Sequence, residues 1–304
     1  MNSAMPDMSG ATPPWCGTPT PAPGGADTSS MPDAVEVMSQ AGQENFPVAL
    51  RVLPRATRRH LKAIYGFARL CDDIGDETPG DRLGQLTMLA TDLERVYTGW
   101  PQHPLLRRLQ PSVRELNLPP GPFRRLIEAN RQDQRVTRYQ TFDELMGYCE
   151  LSANPVGHLV LHVFGVATPE RMRLSDSVCS ALQLIEHVQD VAEDMAAGRV
   201  YLPQHDLARF GCGDADLRAL TASVPVRALV EFEVGRAREL LDEGAVLVGS
   251  LQGYARLTVA GCVAGGRAAL TAIAAADYDV LPGAPAPRKS RMTAGLLTTL
   301  LRKG

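Results

Sequence analysis

The residues best suited to chemistry lie in a short acidic run that contains Asp72, Asp73 and Asp76. On a helix, Asp72 and Asp76 share one face with Tyr65 and Arg69, and this face is about 16 Å long at 1.5 Å per residue. Like charges one turn apart destabilise a helix, and the macrodipole disfavours acids near a helix C-terminus. A solvated helix end is the structural interpretation. The functional interpretation is a Mg²⁺ site, because this ion takes carboxylate and phosphate oxygens.

A second acidic run repeats this arrangement later in the chain, with Asp190 and Asp194 one helical turn apart and Glu193 beside them. Glu186 and His187 lie one turn before Asp190. We interpret His187 as a polar lining or core residue rather than a metal ligand. Two such helices facing each other would hold several Mg²⁺ ions around one diphosphate. Either run alone also fits a solvated helix end, whereas the pair favours the metal site.

Helical periodicity dominates the chain around these runs. It predicts helices over 55–76, 81–98, 121–137, 175–197, 224–248 and 254–276. Thr141 and Glu144 have the spacing of a capping box and predict a further helix start. Pro155 must interrupt that helix because it lacks a backbone donor, and Gly198 predicts a left-handed helix end. No alternating β-type run is present, so we predict an all-α fold with one domain of packed helices.

Composition divides the chain into three parts. Residues 1–38 are rich in Pro, Gly, Ser and Thr, which predicts disorder. Residues 39–281 carry the helical patterns and would form the folded domain. Residues 282–304 combine a Pro-rich start with basic residues and four leucines. This tail is either a frayed terminus or a short interfacial helix that contacts a membrane.

The overall composition excludes some functions. The chain has 304 residues, a formal net charge of -3 and a pI of about 6.1, whereas nucleic-acid-binding proteins are usually basic. The six cysteines are scattered, without the spacing of a zinc site. The N-terminus lacks a signal-peptide pattern, and no stretch approaches the roughly 20 apolar residues of a membrane span. We therefore expect a cytoplasmic protein with reduced thiols and no nucleic-acid partner. The tail is the feature that would give peripheral contact with the inner face of the membrane.

The acidic runs and their neighbouring motifs resemble the squalene/phytoene synthase family. The second run is followed by Gly198-Arg199-Val200-Tyr201-Leu202-Pro203. Two further matching segments are Glu44-Asn45-Phe46-Pro47-Val48-Ala49 and Tyr148-Cys149-Glu150-Leu151-Ser152-Ala153-Asn154-Pro155-Val156-Gly157. The resemblance extends from Glu44 to Asp279, which is most of the region predicted to fold.

The resemblance implies a fold, a cofactor and a set of site residues. The fold would be a single-domain helical bundle of the isoprenoid-synthase type with a central cavity. The substrate would be an isoprenoid diphosphate and the cofactor Mg²⁺, with no NADPH. The residues implied for metal binding and catalysis are Asp72, Asp76, Asp190 and Asp194, with Asp73, Glu186 and Glu193 as further metal candidates. Those implied for substrate binding are Tyr65, Arg69, Asn154, Arg199 and Tyr201.

Within the family, these motifs are most similar to the bacterial hydroxysqualene synthases of hopanoid pathways. Such an enzyme converts presqualene diphosphate to hydroxysqualene, and it would couple functionally to a presqualene diphosphate synthase. Leu151 stands where squalene synthases tend to carry a second tyrosine, which serves proton transfer during condensation. Its absence argues against that half-reaction. Head-to-head condensation of the squalene or phytoene synthase type is the first alternative. A non-catalytic scaffold is the second, although a scaffold would be expected to lose its acidic ligands.

One position departs from the family pattern. Many relatives carry Asn four residues before the first Asp of the second run, whereas this chain carries Glu186. Glu186 would add a carboxylate to the metal cluster, hold water as the amide does, or pair with a nearby arginine. The sequence leaves these three roles open.

Overall fold

The computed structural model describes residues 31–39, 52–285 and 299, and these parts of the chain contain helices but no strand. The helices are α1 (Ala34–Ser39), α2 (Arg55–Asp76), α3 (Arg82–Thr98), α4 (Pro104–Leu116), α5 (Pro120–Asp133), α6 (Phe142–Ser152), α7 (Asn154–Val163), α8 (Pro169–Gln189), α9 (Val191–Ala196), α10 (Gln204–Phe210), α11 (Asp214–Leu217), α12 (Val224–Gly244), α13 (Leu247–Ser250) and α14 (Gly253–Ala275). The prediction of an all-α fold is confirmed.

Local sequence signals set the boundary between α6 and α7. Thr141 caps α6, because its Oγ1 accepts a hydrogen bond from the backbone N–H of Glu144 at 3.2 Å. The Glu144 carboxylate accepts in turn from the backbone N–H of Gln140 at 2.6 Å. A new helix starts at Asn154, with Pro155 in its first turn, where a missing N–H is tolerated. The predicted helix start and the predicted interruption are both confirmed.

The long helix predicted over 175–197 is in fact two helices. α8 ends one residue before Asp190, whose backbone leaves helical geometry at φ -99° and ψ 14°, and α9 follows directly. No glycine or proline marks this break, so the prediction of one continuous helix is wrong at Asp190. Gly198 has φ 81°, the left-handed conformation predicted for it. The turn at Gly198 lets Arg199 N donate to Asp194 O at 2.8 Å.

Two apolar cores hold the bundle together. One surrounds α8, α12 and α14, where Leu184, Val230 and Val263 are buried. The other surrounds α2 to α5, where Phe67 and Phe123 pack edge to face with ring centroids 5.1 Å apart. α7 contacts both α2 and α8, so the helices that carry the acidic runs meet where the two cores join.

Burial begins earlier in the chain than the sequence predicts. α1 falls almost entirely within the segment predicted to be disordered, yet Val37 is fully buried and Ala34 nearly so. The packed structure therefore includes residues before the predicted domain start at 39. Residues 1–30 of the 1–38 prediction lie outside the described residues, as does most of the predicted 282–304 tail.

α14 is long and apolar enough to span a membrane by length and composition. This corrects the expectation that no stretch of the chain approaches a membrane span. Of its most apolar 18 residues, 56% are buried, and the helix packs against α8 and α12. These contacts are those of a core helix. The five cysteines in the described part of the chain are free thiols, as expected.

Candidate active site

A cleft of ≈ 400 Å³ opens between α2, the α6–α7 junction and α8. Its polar lining residues are Tyr65, Arg69, Asp72, Ser152, Gln183 and Glu186. Its other lining residues are Leu61, Ile64, Ala68, Ala153, Val156, Val160, Cys179 and Leu182. Along α2, Leu61 and Asp72 lie about 16 Å apart. The cleft therefore has a charged end and a long apolar wall, which suits a ligand with an ionic head and a hydrocarbon tail.

Asp72 at the charged end is held by α5. Asn130 Nδ2 donates a hydrogen bond to Asp72 Oδ1 at 3.1 Å. The helices approach so closely here that a Cβ at Gly75 would clash with the Asn130 side chain. Desolvation by the surrounding protein, reinforced by the charge of Asp76, raises the pKa of Asp72 to about 7. Asp72 is thus oriented by an amide, which does not neutralise its charge.

Arg199 joins the two acidic runs. Its Nη1 donates to Asp76 Oδ1 at 2.6 Å. The segment after α9 reaches this position because Val200 N donates to Thr137 O at 2.9 Å, in a short parallel bridge to the α5–α6 connection. The side chain of Asp76 is 44% exposed, so solvent or a ligand has access to this ion pair.

Asp190 and Asp194 lie on either side of the α8–α9 break. Within the described parts of the chain, neither carboxylate forms a salt bridge. Desolvation raises the pKa of Asp190, and it raises the pKa of Asp194 to about 7. Arg199 opposes the shift at Asp194, whereas the charges of Asp190 and Asp76 increase it. Asp76 of the first run and Asp194 of the second are therefore close enough to repel each other.

Asp133 is a further carboxylate of this region, and no sequence motif predicts its role. It is the last residue of α5, and it accepts hydrogen bonds from Tyr148 OH at 2.6 Å and Tyr201 OH at 3.3 Å. Desolvation raises the pKa of Asp133 to about 6. The Tyr201 ring stacks on His187 with centroids 3.8 Å apart, and burial lowers the pKa of His187 to about 3. His187 is therefore a neutral core ring beside the site, in line with the interpretation from sequence.

Two of the proposed site residues are bound to each other. Arg69 lines the cleft, and its guanidinium pairs with Asp73 at 2.6 Å and with Glu77 at 2.8 Å. Asp73 is only 3% exposed, so it lies in the packed side of α2 and not among the carboxylates of the cleft. Asp73 therefore holds Arg69 in position through this ion pair.

The remaining proposed residues lie in different surroundings. Asn154 is buried, and its Oδ1 accepts a hydrogen bond from Ser180 Oγ at 3.0 Å, which ties α7 to α8. Tyr65 and Glu186 line the cleft from α2 and α8. Glu193 is exposed on α9. The structure thus brings Tyr65, Arg69, Asp72 and Glu186 into one cleft, whereas Asn154 acts as a helix-to-helix contact.

Leu151 does not face this cleft. It lines a separate groove between α3 and α5, with Thr87 and Arg131 among its neighbours, whereas the next residue, Ser152, lines the cleft.

The donor set fits Mg²⁺. The carboxylates of this region are hard oxygen ligands and belong to Asp72, Asp76, Asp133, Glu186, Asp190 and Asp194. In the described part of the chain, no three His, Cys, Asp or Glu side chains are grouped closely enough to hold a metal ion. Mg²⁺ keeps several waters and is commonly held by one or two carboxylates plus substrate phosphates. This open arrangement is therefore suited to Mg²⁺ that binds together with a diphosphate.

The fold and the cleft together define an all-α protein in which α2 and α8 each contribute a carboxylate to a cleft with a long apolar wall. A comparison with known families agrees with this class, because the squalene/phytoene synthase family matches residues 39–293. The chain belongs to the squalene/phytoene synthase family. Members of this family are enzymes that process prenyl diphosphates.

Three relatives illustrate the range of similarity. The chain is 33% identical to phytoene synthase 1 of Solanum lycopersicum over 78% of its own length and 59% of the relative. It is 34% identical to the hydroxysqualene synthase of Rhodopseudomonas palustris, over 69% of this chain and 72% of that one. The crystal structure of squalene synthase HpnC from Alicyclobacillus acidocaldarius superposes with a TM-score of 0.74 at 41% identity, covering 83% of this chain and 98% of that chain.

Proposed function

We propose that this enzyme converts presqualene diphosphate to hydroxysqualene and diphosphate in a Mg²⁺-dependent reaction. The observation that carries the proposal is a cleft that combines the carboxylates of Asp72 on α2 and Glu186 on α8 with a long apolar wall. This arrangement suits an ionic head group that must leave and a hydrocarbon that must be kept from bulk water.

The carboxylates of Asp72, Asp76, Asp190 and Asp194 would hold the metal, with Asp133 beside them. Mg²⁺ held there would neutralise charge on the leaving diphosphate and so lower the barrier to breaking the carbon–oxygen bond. Desolvation, reinforced by neighbouring carboxylates, raises the pKa values of Asp72, Asp190 and Asp194, and a bound cation would offset that cost.

Arg199 and Arg69 would bind the diphosphate oxygens. Each guanidinium already pairs with carboxylates, Arg199 with Asp76 and Arg69 with Asp73 and Glu77. A bidentate guanidinium matches phosphate as well as carboxylate. Asp76 is exposed, so Arg199 can turn from it to the diphosphate. Asp73 is buried and holds Arg69 in place at the edge of the cleft.

The reaction balances without a reductant. The carbon–oxygen bond to diphosphate breaks, and the electron pair leaves with the diphosphate. The resulting carbocation rearranges, a water oxygen forms a new carbon–oxygen bond, and one proton from that water is released. The apolar wall from Leu61 to Val160 would exclude other water, whereas Gln183 and Glu186 would hold the water that reacts.

Relatives of two kinds bear on which reaction the cleft performs. The hydroxysqualene synthases of Zymomonas mobilis and Rhodopseudomonas palustris support the proposed reaction at 32% and 34% identity. Phytoene synthases at 33% identity support the second candidate, which is head-to-head condensation of two prenyl diphosphates. Both candidates begin with ionisation of a diphosphate, so the same carboxylates and arginines serve either one.

Product analysis distinguishes the candidates. The purified full chain is incubated with presqualene diphosphate and Mg²⁺, with and without NADPH, and in parallel with farnesyl or geranylgeranyl diphosphate. We expect hydroxysqualene from presqualene diphosphate with no effect of NADPH, and no product in excess chelator until Mg²⁺ is restored. Squalene that forms only with NADPH, or a cyclopropyl product from the shorter diphosphates, would reject the proposed reaction. Full activity in chelator would reject the metal site.

A further inference from the structure

A second cavity lies outside the cleft, on a neighbouring face of α2. It has a volume of ≈ 640 Å³ and is enclosed by α1, the first half of α2 and α4. Its lining residues are Met38, Arg55, Arg58, Arg59, Lys62, Ala63, Leu105 and Arg108. Five of these eight residues are cations and none is an acid. We call this cavity the basic groove.

The charge of the basic groove is largely uncompensated. Arg59 pairs with Glu115 at 2.6 Å. The other four cations of the groove form no ion pair with any residue that the structure describes. A local excess of about four positive charges stands out on a chain whose formal net charge is -3.

The start of α2 adds to this positive potential. The helix has 22 residues, its N-cap is Pro54 without a side-chain cap, and its first turn contains no acid. The uncapped N–H groups and the positive end of the macrodipole both favour a bound anion. Arg58 Nε is inaccessible to solvent and has no hydrogen-bond partner within the described structure. The groove therefore combines fixed positive charge with hydrogen-bond donors, the first N–H groups of α2 and Arg58 Nε, that have no acceptor within the described structure.

Apolar surface accompanies these charges. Met38, Ala63 and Leu105 lie between the cations of the groove. Val35, one turn before Met38 on α1, is 73% exposed, and Val52, three residues before Arg55, is 58% exposed. A free phosphate ion gains nothing from such surface. A lipid surface uses both features, because its anionic head groups meet the cations while exposed aliphatic side chains insert between them.

We propose that the basic groove binds the head groups of anionic phospholipids and docks this face of the protein on a membrane. The position of the groove relates this membrane contact to the cleft. Leu61 and Ile64, at the apolar end of the cleft, alternate along α2 with Arg58 and Lys62 of the groove, while Asp72 lies toward the other end of the helix. Docking through the groove therefore brings the apolar end of the cleft toward the bilayer, where water-insoluble hydrocarbons partition.

Vesicle co-sedimentation of the full chain tests this proposal. The vesicles contain phosphatidylcholine alone or phosphatidylcholine with phosphatidylglycerol, at low and high salt. The test variant is Arg58→Gln/Lys62→Gln/Arg108→Gln. The control variant, Arg114→Gln/Arg218→Gln/Arg238→Gln, removes the same charge from exposed positions outside the groove. A third variant, Arg288→Gln/Lys289→Gln/Arg291→Gln, removes the same charge from the C-terminal tail.

We expect the unmodified chain to bind only vesicles with phosphatidylglycerol, and less at high salt. Each Lys or Arg at an anionic membrane surface contributes about 1 kcal/mol, so the test variant should lose about a hundredfold in partition coefficient. The control variant should bind nearly as well as the unmodified chain. All four proteins should keep the same activity on detergent-solubilised substrate, which shows that the variants are folded.

Three results would overturn the proposal. One is a loss of vesicle binding in the tail variant with none in the groove variant. Another is equal losses in the groove and control variants, which would indicate a net-charge effect. The last is calorimetric binding of inorganic diphosphate, lost in the groove variant, by a chain that does not sediment with anionic vesicles. That result would identify the groove as a site for a free anion.

Discussion

Two clusters of acidic residues in this protein are built in opposite ways. In the first, which spans the two acidic runs, Asp72, Asp190 and Asp194 have no salt bridge within the described structure. In the second, between α10 and α12, Asp206 and Glu233 are 6% and 2% exposed and share one cation. Arg236 Nη1 donates to Asp206 at 2.6 Å and to Glu233 at 3.1 Å, and we call these three residues the Arg236 cluster.

The difference lies in where each cluster finds its counter-charge. The guanidinium of Arg236 lies 4.3 Å from the ring centroids of Phe142 and Phe232, which shield it from water. The Arg236 cluster is complete within the fold, and its charges serve packing. Asn130 orients Asp72, and the turn at Asp190 positions the second acidic run. Within the described structure, no cation forms a salt bridge with Asp72, Asp190 or Asp194. Acidic residues that the fold holds in position without neutralising them indicate an external cation.

The largest expected effect is on catalysis by Asp194→Asn. The amide is a weaker metal ligand and does not neutralise the cation, so kcat/KM for the prenyl diphosphate should fall about a thousandfold, or about 4 kcal/mol of transition-state stabilisation. The melting temperature should stay the same or rise, because the substitution removes a desolvated charge that Asp190 and Asp76 also repel, and these costs outweigh the attraction to Arg199. Steady-state kinetics and thermal melts on the same sample make the comparison. A fall in activity that merely follows a loss of folded protein would refute it.

Arg236→Met should have the opposite effect, lowering stability while leaving catalysis unchanged. It leaves two buried carboxylates without their shared cation, which should cost about 3 kcal/mol of unfolding free energy. The folded fraction should keep its kcat and its Mg²⁺ midpoint, because the Arg236 cluster lies outside the cleft. Urea unfolding followed by helix content measures the first quantity, and kinetics below the transition measure the second. An unchanged urea midpoint would show that the cluster contributes no stability.

The contrast between the clusters also explains what the sequence reveals. The two acidic runs are visible because each contains its own i, i+4 pair, a local pattern. No local sequence pattern predicts the role of Asp133, because that role depends on tertiary contacts of Tyr148 and Tyr201 with the end of α5. The Arg236 cluster also joins residues far apart in sequence, Asp206 on α10 and Glu233 on α12. Helix periodicity, the cap at Thr141 and the turn at Gly198 are local features, and all three were predicted.

The wrong predictions from sequence also concern features that depend on tertiary contacts. The break at Asp190 has no local breaker residue, so periodicity alone continues the helix through it. The contribution of α1 depends on burial of Val37 against the α2–α5 core, which low-complexity composition cannot reveal. Asp73 differs from Asp72 only by facing the core side of α2, and its ion pair with Arg69 is a tertiary contact.

A smaller effect is expected from Glu233→Gln, and it depends on pH. Burial raises the pKa of Glu233 from 4.5 to about 7, despite Arg236. Between these values the folded state holds a proton that the unfolded state releases, so the free energy of unfolding falls as pH rises and levels off above pH 7. The glutamine variant lacks this term, and its gain relative to the unmodified chain between pH 5 and 8 should be on the order of 2 kcal/mol. Urea unfolding at several pH values tests this, and parallel pH profiles for the two proteins would contradict it.

The smallest effect expected is that of Glu186→Asn. Glu186 lines the cleft from α8, one turn before Asp190, at the position where the family resemblance implies an amide. If it holds the reacting water, the amide can do the same, and kcat should stay within about tenfold of the unmodified enzyme, or about 1.4 kcal/mol. Glu186→Ala should lower kcat further than Glu186→Asn, because alanine holds no water.

The Mg²⁺ midpoint separates this role from the other two. A direct metal ligand would make both variants lose more than about a hundredfold in kcat, roughly 2.7 kcal/mol, with a higher Mg²⁺ midpoint. A purely structural carboxylate would lower the melting temperature of both variants and leave kcat of the folded enzyme unchanged. Only the water-holding role predicts that the asparagine and alanine variants differ in kcat while their Mg²⁺ midpoints remain equal.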